Sequence, residues 1–199
     1  MGEVVNDGTA PIQNGGAKKI VIGVVALVII IAAIVGIVML VKPSPEKTVK
    51  EFLNAFGNKK ASKVIDCYDF IGAAAWAECD GDYEDFVENY KDYKEEMEDD
   101  KDEYDEMVET TKEGLEEEFD EVEKLKVEIK DVKNAKEVKK AKNLYTVKAK
   151  VKVEYKDDDD KTQRDTTTYN FYVYKASGKY KIVGIEYVEG DSGVLTYMF

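Results

Sequence analysis

The feature that most constrains this chain is a run of 22 residues without a charged side chain, from Ile20 to Val41. At about 1.5 Å per residue, a helix of this length spans roughly 33 Å, enough to cross the hydrocarbon core of a bilayer. Its β-branched residues and its lack of a polar face disfavour a buried soluble helix, and no small-residue cleavage site follows it. We therefore predict a single-pass transmembrane helix over residues 20–41, preceded by a disordered tail over residues 1–19.

Two arguments about the orientation of this helix point in opposite directions. Two lysines precede the run and five follow it within twenty residues, and this count favours a cytoplasmic C-terminal side. Long domains, however, cross membranes largely regardless of their charge, and a short tail ending in two lysines is typical of an uncleaved export signal. We predict that the C-terminal domain is extracytoplasmic at the cell membrane, and a cytoplasm-facing regulator remains the alternative.

The composition excludes several classes of function. The formal net charge is −13, whereas a nucleic-acid-binding protein needs a basic stripe, so we predict no nucleic-acid partner. The chain has no histidine, which is the commonest acid–base catalyst and the commonest metal ligand. Two cysteines cannot form a four-cysteine zinc site within one chain. We predict no cofactor and no metal site.

Helical signals open the soluble part of the chain. Ser44 is suited to cap a helix that has Pro45 at its first position. An apolar stripe with helical spacing follows in the sequence "SPEKTVKEFLNAFG", and the closing glycine is a typical stop. A second helix is predicted over residues 62–71, after which "GAAAW" is predicted to bend the chain towards Cys79.

Residues 78–123 form a strongly acidic helical segment, with 24 Asp and Glu against 4 Lys. Tyrosines and methionines recur every seven residues through it, so one long amphipathic helix or two shorter ones fit the pattern. The apolar face thins around "EEMEDDKDEYDE", which predicts a break near residues 99–102. We interpret the acidic residues as a solvated helical face.

The charge inverts after this segment, and helical spacing gives way to alternation. Residues 124–156 hold 12 Lys against 4 acidic residues. Alternating apolar and polar residues predict four strands, of which "YTVKAKVKVEY" is the clearest, followed by "RDTTTYNFYVYK" and "KYKIVGIEY". The acidic stretch "KDDDDKTQ" separates two of these strands, so we interpret it as a hairpin connection. Residues 189–199 are predicted to form a C-terminal tail.

The chain is predicted to have three helical segments followed by four antiparallel strands, with "SPEKTVKEFLNAF" at the start and "GKYKIVGIE" at the end. In this order and in these two motifs it resembles the nuclear transport factor 2-like (cystatin-like) superfamily. The resemblance covers residues 44–188. Within the superfamily, the chain is most similar to membrane-anchored bacterial members of unknown function. The resemblance implies an α+β domain whose helices pack on a four-stranded antiparallel sheet, with the acidic segment as an insertion. It also implies an exported domain.

Folds of this type serve both as enzymes and as binding modules, so the fold alone does not decide the function. No spacing in the sequence identifies an acidic residue that would point into a pocket together with a second catalytic group. Neither cysteine has a histidine partner, so we name no catalytic residue. We predict a non-catalytic interaction or ligand-binding module, with the ligand or protein partner unidentified. A small-molecule isomerase or cyclase on the same scaffold is the alternative.

Two sets of residues are candidates for sites. Outside the cytoplasm, Cys67 and Cys79 in an otherwise cysteine-free chain favour a disulfide, with two buried free thiols as the alternative. The second candidate is an outer face of the sheet. Its members are Lys148, Lys150, Lys152, Tyr172 and Tyr174. This face is either solvated, paired with a second copy in a homodimer, or docked on the acidic segment of the same chain.

Overall fold

The fold is taken from a computed structural model, which describes residues 42–80, 82–122, 125–156 and 161–191. The predicted N-terminal tail, the predicted transmembrane helix and residues 192–199 lie outside these ranges. Among the helices within them, none combines the length and the apolar character needed to cross a bilayer. The residues from Pro43 onward cluster as one unit, and the description below concerns that unit.

Helices come first along the chain. They are α1 (Pro45–Gly57), α2 (Ala61–Asp66), α3 (Phe70–Glu78), the 3-10 helix η1 (Tyr83–Asp85), α4 (Phe86–Asp99) and α5 (Lys101–Glu121). The predicted start of α1 is confirmed, because the Ser44 side chain accepts a hydrogen bond from the amide of Lys47 at 3.2 Å. The predicted break in the acidic segment is also confirmed, since only Asp100 separates α4 from α5.

The prediction of one helix over residues 62–71 is wrong. The chain leaves the helical path at Cys67 and enters α3 at Phe70, and between them Tyr68 forms a parallel bridge with Ile182. The amide of Ile182 donates to the carbonyl of Cys67 at 2.8 Å, and the amide of Asp69 donates to the carbonyl of Ile182 at 2.9 Å. These two bonds use backbone groups that a continuous helix would have paired internally.

The strands form one antiparallel sheet. They are β1 (Lys126–Val132), β2 (Lys136–Glu137), β3 (Leu144–Lys156), β4 (Thr162–Ala176) and β5 (Lys179–Gly190), in the order β1-β3-β4-β5. The predicted α+β class and the four long strands are confirmed. The predicted strand number is corrected from four to five, because β2 pairs with β3 beyond the end of β1. A two-residue strand is too short to show alternation.

The ends of β3 and β5 can be compared with the predicted hairpin connection and with the predicted end of the domain. Lys156 of β3 faces Thr162 of β4 in the ladder, so these strands form a hairpin around the acidic stretch, whose residues 157–160 lie outside the described ranges. Strand β5 continues to Gly190, two residues past the domain end predicted at residue 188.

Helices cover the first face of the sheet with the larger of two cores. Side chains of α1, α2 and α5 pack there against alternate residues of β3, β4 and β5. The fully buried aromatic members of this core are Phe52, Phe56, Tyr169 and Phe171. The rings of Phe52 and Phe171 meet edge to face at 5.9 Å, and those of Phe56 and Phe119 at 5.3 Å. Aromatic side chains therefore fill the interior between the helices and the sheet.

A second, smaller core lies on the opposite face of the sheet. Side chains of α3, η1 and α4 pack there on Leu144, Tyr172, Tyr174 and Val183. Close approach requires glycine at two positions. A Cβ on Gly72 would lie 2.3 Å from a methyl group of Val183, and a Cβ on Gly184 would lie 2.5 Å from the ring of Trp76.

We predict that Gly184→Ala destabilises the domain while Gly114→Ala does not. The added methyl group at residue 184 meets the Trp76 indole, and such overpacking costs roughly 1–3 kcal/mol. Gly114 lies in α5 with no atom within 4 Å of its would-be Cβ, so alanine there should add up to about 1 kcal/mol through helix propensity. Urea unfolding of residues 43–199, followed by the fluorescence of the single tryptophan, measures both changes. Equal stability of the two variants would contradict the packing of α3 on β5.

Candidate interaction surface

A row of three lysines lies on the second face of the sheet, beyond the area covered by α3 and α4. Lys148, Lys150 and Lys152 alternate along β3 with residues that are buried in the first core, so their shared face is confirmed. Across the ladder they lie opposite Asn170, Thr168 and Thr166 of β4. Lys148 and Lys150 are exposed, and Lys152 is half-buried. We call these three residues the lysine row.

Carboxylates beside the lysine row have cationic partners of their own. Glu128 of β1 lies opposite Lys152, but its side chain is paired with Lys130 at 2.6 Å. Arg164 lies at 2.8 Å from Glu154. The hydrogen bonds from Lys130 and Arg164 are the main causes that lower the pKa of Glu128 and of Glu154, respectively. The positive charge of Lys152 lowers both pKa values by a smaller amount. Asp131 is likewise paired with Lys133.

On the other side of the row, Glu186 of β5 accepts hydrogen bonds from Asn170 and from the Tyr172 hydroxyl, both at 3.0 Å. Within the described ranges, no carboxylate forms an ion pair with any member of the lysine row. The row is therefore a set of three ammonium groups at regular spacing on a rigid strand, open to a partner.

The two tyrosines predicted beside the lysines share their face but are not at the surface. The register sets Tyr172 opposite Thr146 and Tyr174 opposite Leu144, and each ring is only 8% exposed. Trp76 and Tyr83 cover Tyr172 at ring distances of 5.3 and 5.2 Å. As candidates for an interaction surface these tyrosines are corrected to members of the second core, because α3 and α4 reach this face.

The acidic helix α5 does not reach the lysine row. Its buried residues, Leu115 and Phe119, belong to the first core, on the opposite face of the sheet. The Lys59 ammonium donates to the carbonyl of Phe119 at 2.5 Å and holds the end of this helix against α1 and α2. Docking of α5 on the lysine row is therefore not the arrangement in this structure. The first half of the acidic segment does dock on the same face, where Tyr83, Phe86 and Tyr90 pack on Tyr172 and Tyr174.

The predicted disulfide is not formed, and both cysteines are free. Cys67 lies before α3 and Cys79 lies directly after it. The nine residues of α3 form a helix about 14 Å long between them, whereas the Cα atoms of a disulfide lie within about 7 Å of each other. Cys67 packs against the first core and Cys79 lies in the second. Burial, with a contribution from the charge of Glu51, raises the pKa of the Cys67 thiol to about 11.

Sequence reasoning missed Asp69, which organises the second core. One carboxylate oxygen caps α3 by accepting from the amide of Gly72 at 3.1 Å, and the other accepts from the Tyr90 hydroxyl of α4 at 3.2 Å. Burial and then the charge of Asp69 raise the pKa of Tyr90. The pattern Asp-x-x-Gly before an apolar run was a usable capping signal, but the predicted helix over residues 62–71 hid it.

Two open clefts lie next to α1. One, of about 440 Å³, lies between α1 and α2 and includes Cys67. The other, of about 400 Å³, lies between the start of α1 and the turn from β4 to β5. Both are lined by lysines and carboxylates, with Glu51 and Asp66 common to the two. Within the described part of the chain, no three potential metal ligands come together.

No protein-family model, curated protein or solved structure matches this chain. The similarity to the nuclear transport factor 2-like superfamily stays a prediction.

We predict that both thiols of the native protein react slowly with iodoacetamide at pH 8. Raising the Cys67 pKa from its ordinary 9.0 to about 11 makes its thiolate roughly a hundredfold scarcer below pH 9. Alkylation of Cys67 should therefore be about a hundredfold slower in the folded than in the urea-unfolded protein. Unreduced, unfolded protein should carry two alkylated cysteines. An intact mass about 2 Da lower with no alkylation would instead show that the disulfide exists.

Proposed function

We propose that this chain is a membrane-anchored, extracytoplasmic and non-catalytic interaction module that binds an acidic polypeptide through its lysine row. The membrane part of the proposal comes from the uncharged run over residues 20–41. The interaction part is carried by one observation: three exposed or half-exposed lysines on one strand lack ion-pair partners in the described structure, while Glu128, Asp131 and Glu154 beside them are paired with other cations.

The chemistry of the surface supports an acidic partner and a weak, salt-sensitive complex. On the β4 side the lysines lie opposite threonine and asparagine, and on the β1 side Glu128 and Asp131 lie opposite two of them. The tyrosines that could have anchored a tight interface are buried. Charged surfaces of this kind accelerate encounter and select partners more than they add affinity. A symmetric homodimer through this face would bring the lysine rows of two copies together, and like charges in an interface are unfavourable.

The alternative, an isomerase or cyclase on the same scaffold, needs a pocket that admits a small molecule into the interior. Phe52, Phe56 and Phe171 fill that interior and are fully buried, which supports the module over the enzyme. A cytoplasm-facing regulator differs from the main proposal only in the side of the membrane on which the domain lies, so a topology measurement separates the two.

The first test is topological. A reporter that is active only in the cytoplasm, fused after Phe199, should stay silent, because we expect residues 43–199 to lie outside. A reporter that needs export for activity, fused at the same position, is the matched control and should be active. A strong cytoplasmic signal would replace the extracytoplasmic module with the cytoplasm-facing regulator.

The second test reverses two charges of the lysine row. Lys148→Glu with Lys152→Glu should weaken binding of a fluorescent poly-glutamate peptide by about tenfold at low salt, because two attractions become repulsions. Binding of the unaltered protein should itself weaken on raising the salt to ~0.5 M.

The matched control is Lys63→Glu with Lys91→Glu, which makes the same charge change on the exposed faces of α2 and α4. Its affinity should stay within about twofold of the unaltered protein, since screening limits charges at a distance. Sedimentation of each variant reports self-association. Equal affinity of the two double variants would overturn the lysine row as the binding surface. Loss of self-association in the lysine-row variant alone would identify the acidic partner as a second copy.

A further inference from the structure

A second concentration of lysines lies at the end of the domain where the chain enters it. Three segments supply it: residues 43–47, residues 133–143 and residues 175–181. Together they contain nine lysines and two glutamates. The lysines are Lys47, Lys133, Lys136, Lys139, Lys140, Lys142, Lys175, Lys179 and Lys181. We call this set the basic end.

Direct contacts bring the three segments together. The side chain of Glu46 accepts a hydrogen bond from the amide of Ala135 at 2.7 Å. The hydroxyl of Thr48, one residue past the first segment, donates to the carbonyl of Tyr180 at 3.4 Å. The amide of Lys175 donates to the carbonyl of Asn143 at 2.9 Å. The segments are therefore adjacent in the fold, although about 130 residues separate the first from the last.

The acidic groups at this end are largely engaged. Glu46 is held by Ala135, and Glu137 accepts a hydrogen bond from the amide of Asn143 at 3.0 Å. Glu84 is paired with Lys140. Glu51 and Asp66 line the neighbouring cleft beside Lys47 and Lys181, so they reduce the positive charge on that side.

Aromatic rings stand among these lysines. The Lys175 ammonium lies 5.3 Å from the centre of the Tyr180 ring, and the rings of Tyr145 and Tyr180 meet edge to face at 5.9 Å. Both tyrosines are half-buried. Lysine together with tyrosine is the composition that membrane proteins use at the level of lipid headgroups.

The sequence limits how far this end can be from a membrane. The uncharged run ends at Val41, and two residues of extended chain from there to Pro43 reach at most about 7 Å. Pro43 and Ser44 line the same cleft as Lys179 and Lys181. If residues 20–41 span a bilayer, these lysines lie within reach of its headgroups.

We propose that the basic end docks on the surface of an anionic lipid bilayer and thereby fixes the orientation of the domain on the membrane. This inference rests on the proposed membrane anchor and deepens it. Each lysine close to an anionic bilayer strengthens the binding of the domain to that bilayer by about fivefold. The attraction falls off within about one Debye length, so it acts only on lysines that are held as close to the bilayer as those of the basic end.

The test uses the full chain in lipid nanodiscs made of phosphatidylcholine alone or with phosphatidylglycerol. Amide hydrogen exchange of residues 139–142 and 176–179 should be at least about fivefold slower in the anionic discs. The difference should vanish at ~0.5 M salt.

Two triple variants with the same charge change are compared. Lys139→Glu, Lys142→Glu and Lys179→Glu alter the basic end at side chains that have no hydrogen bond or ion pair to a described residue. Lys63→Glu, Lys91→Glu and Lys101→Glu make the same charge change at exposed lysines of α2, α4 and α5 and leave both the basic end and the lysine row intact. Only the first variant should lose the slow exchange in anionic discs, and the circular dichroism of both reports whether they remain folded.

The outcomes separate this inference from the anchor on which it rests. If the chain stays in the discs after alkaline extraction but exchanges equally fast in both lipids, the docking is overturned and the anchor stands. If the basic-end variant keeps the slow exchange, the surface is assigned wrongly. If alkaline treatment releases the chain, the anchor and the docking are both overturned.

Discussion

The parallel bridge between Tyr68 and Ile182 is the interaction on which the rest of the fold depends. Its two backbone hydrogen bonds, at 2.8 and 2.9 Å, attach the chain to the edge strand β5 at the point where it passes from one face of the sheet to the other. Without this crossing, α3 and α4 would lie with the other helices, and the second face of the sheet would have no core. Asp69 follows the bridge immediately, and by capping α3 and accepting from Tyr90 it fixes both helices of that core.

The crossing also determines how charge is distributed over the surface. Because α3 and α4 cover only the end of the second face that carries Tyr172 and Tyr174, the lysine row on the same face stays open. The acidic helix α5 returns to the first face through Leu115 and Phe119. The acidic helix α5 and the lysine row therefore lie on opposite faces of one sheet, whereas η1 and α4, the first half of the acidic segment, share the second face with the lysine row.

The sequence predicted the elements better than their arrangement. Alternation along β3 is strict, so it predicted both the strand and the shared face of Lys148, Lys150 and Lys152. Periodicity gives the face of a side chain but not what covers that face, and for this reason Tyr172 was predicted to be exposed. The interruption at Tyr68 was missed because it is caused by hydrogen bonds to Ile182, more than a hundred residues away, and no local pattern records them. The candidate surface was thus predictable in its lysines and not in its tyrosines.

The type of cation limits what the exposed surfaces can recognise. Arg164 is the one arginine of the chain, and its guanidinium is already held by Glu154. Lysine presents a hydrated point charge on a flexible stem, whereas bidentate recognition of carboxylates and phosphates needs the planar fork of arginine. Selectivity must therefore come from placement. Alternate residues of a strand lie about 7 Å apart, so the lysine row matches acidic side chains that alternate along an extended partner segment. The basic end has no such regularity, because turns and strand ends contribute its lysines, and it suits a fluid surface of headgroups instead.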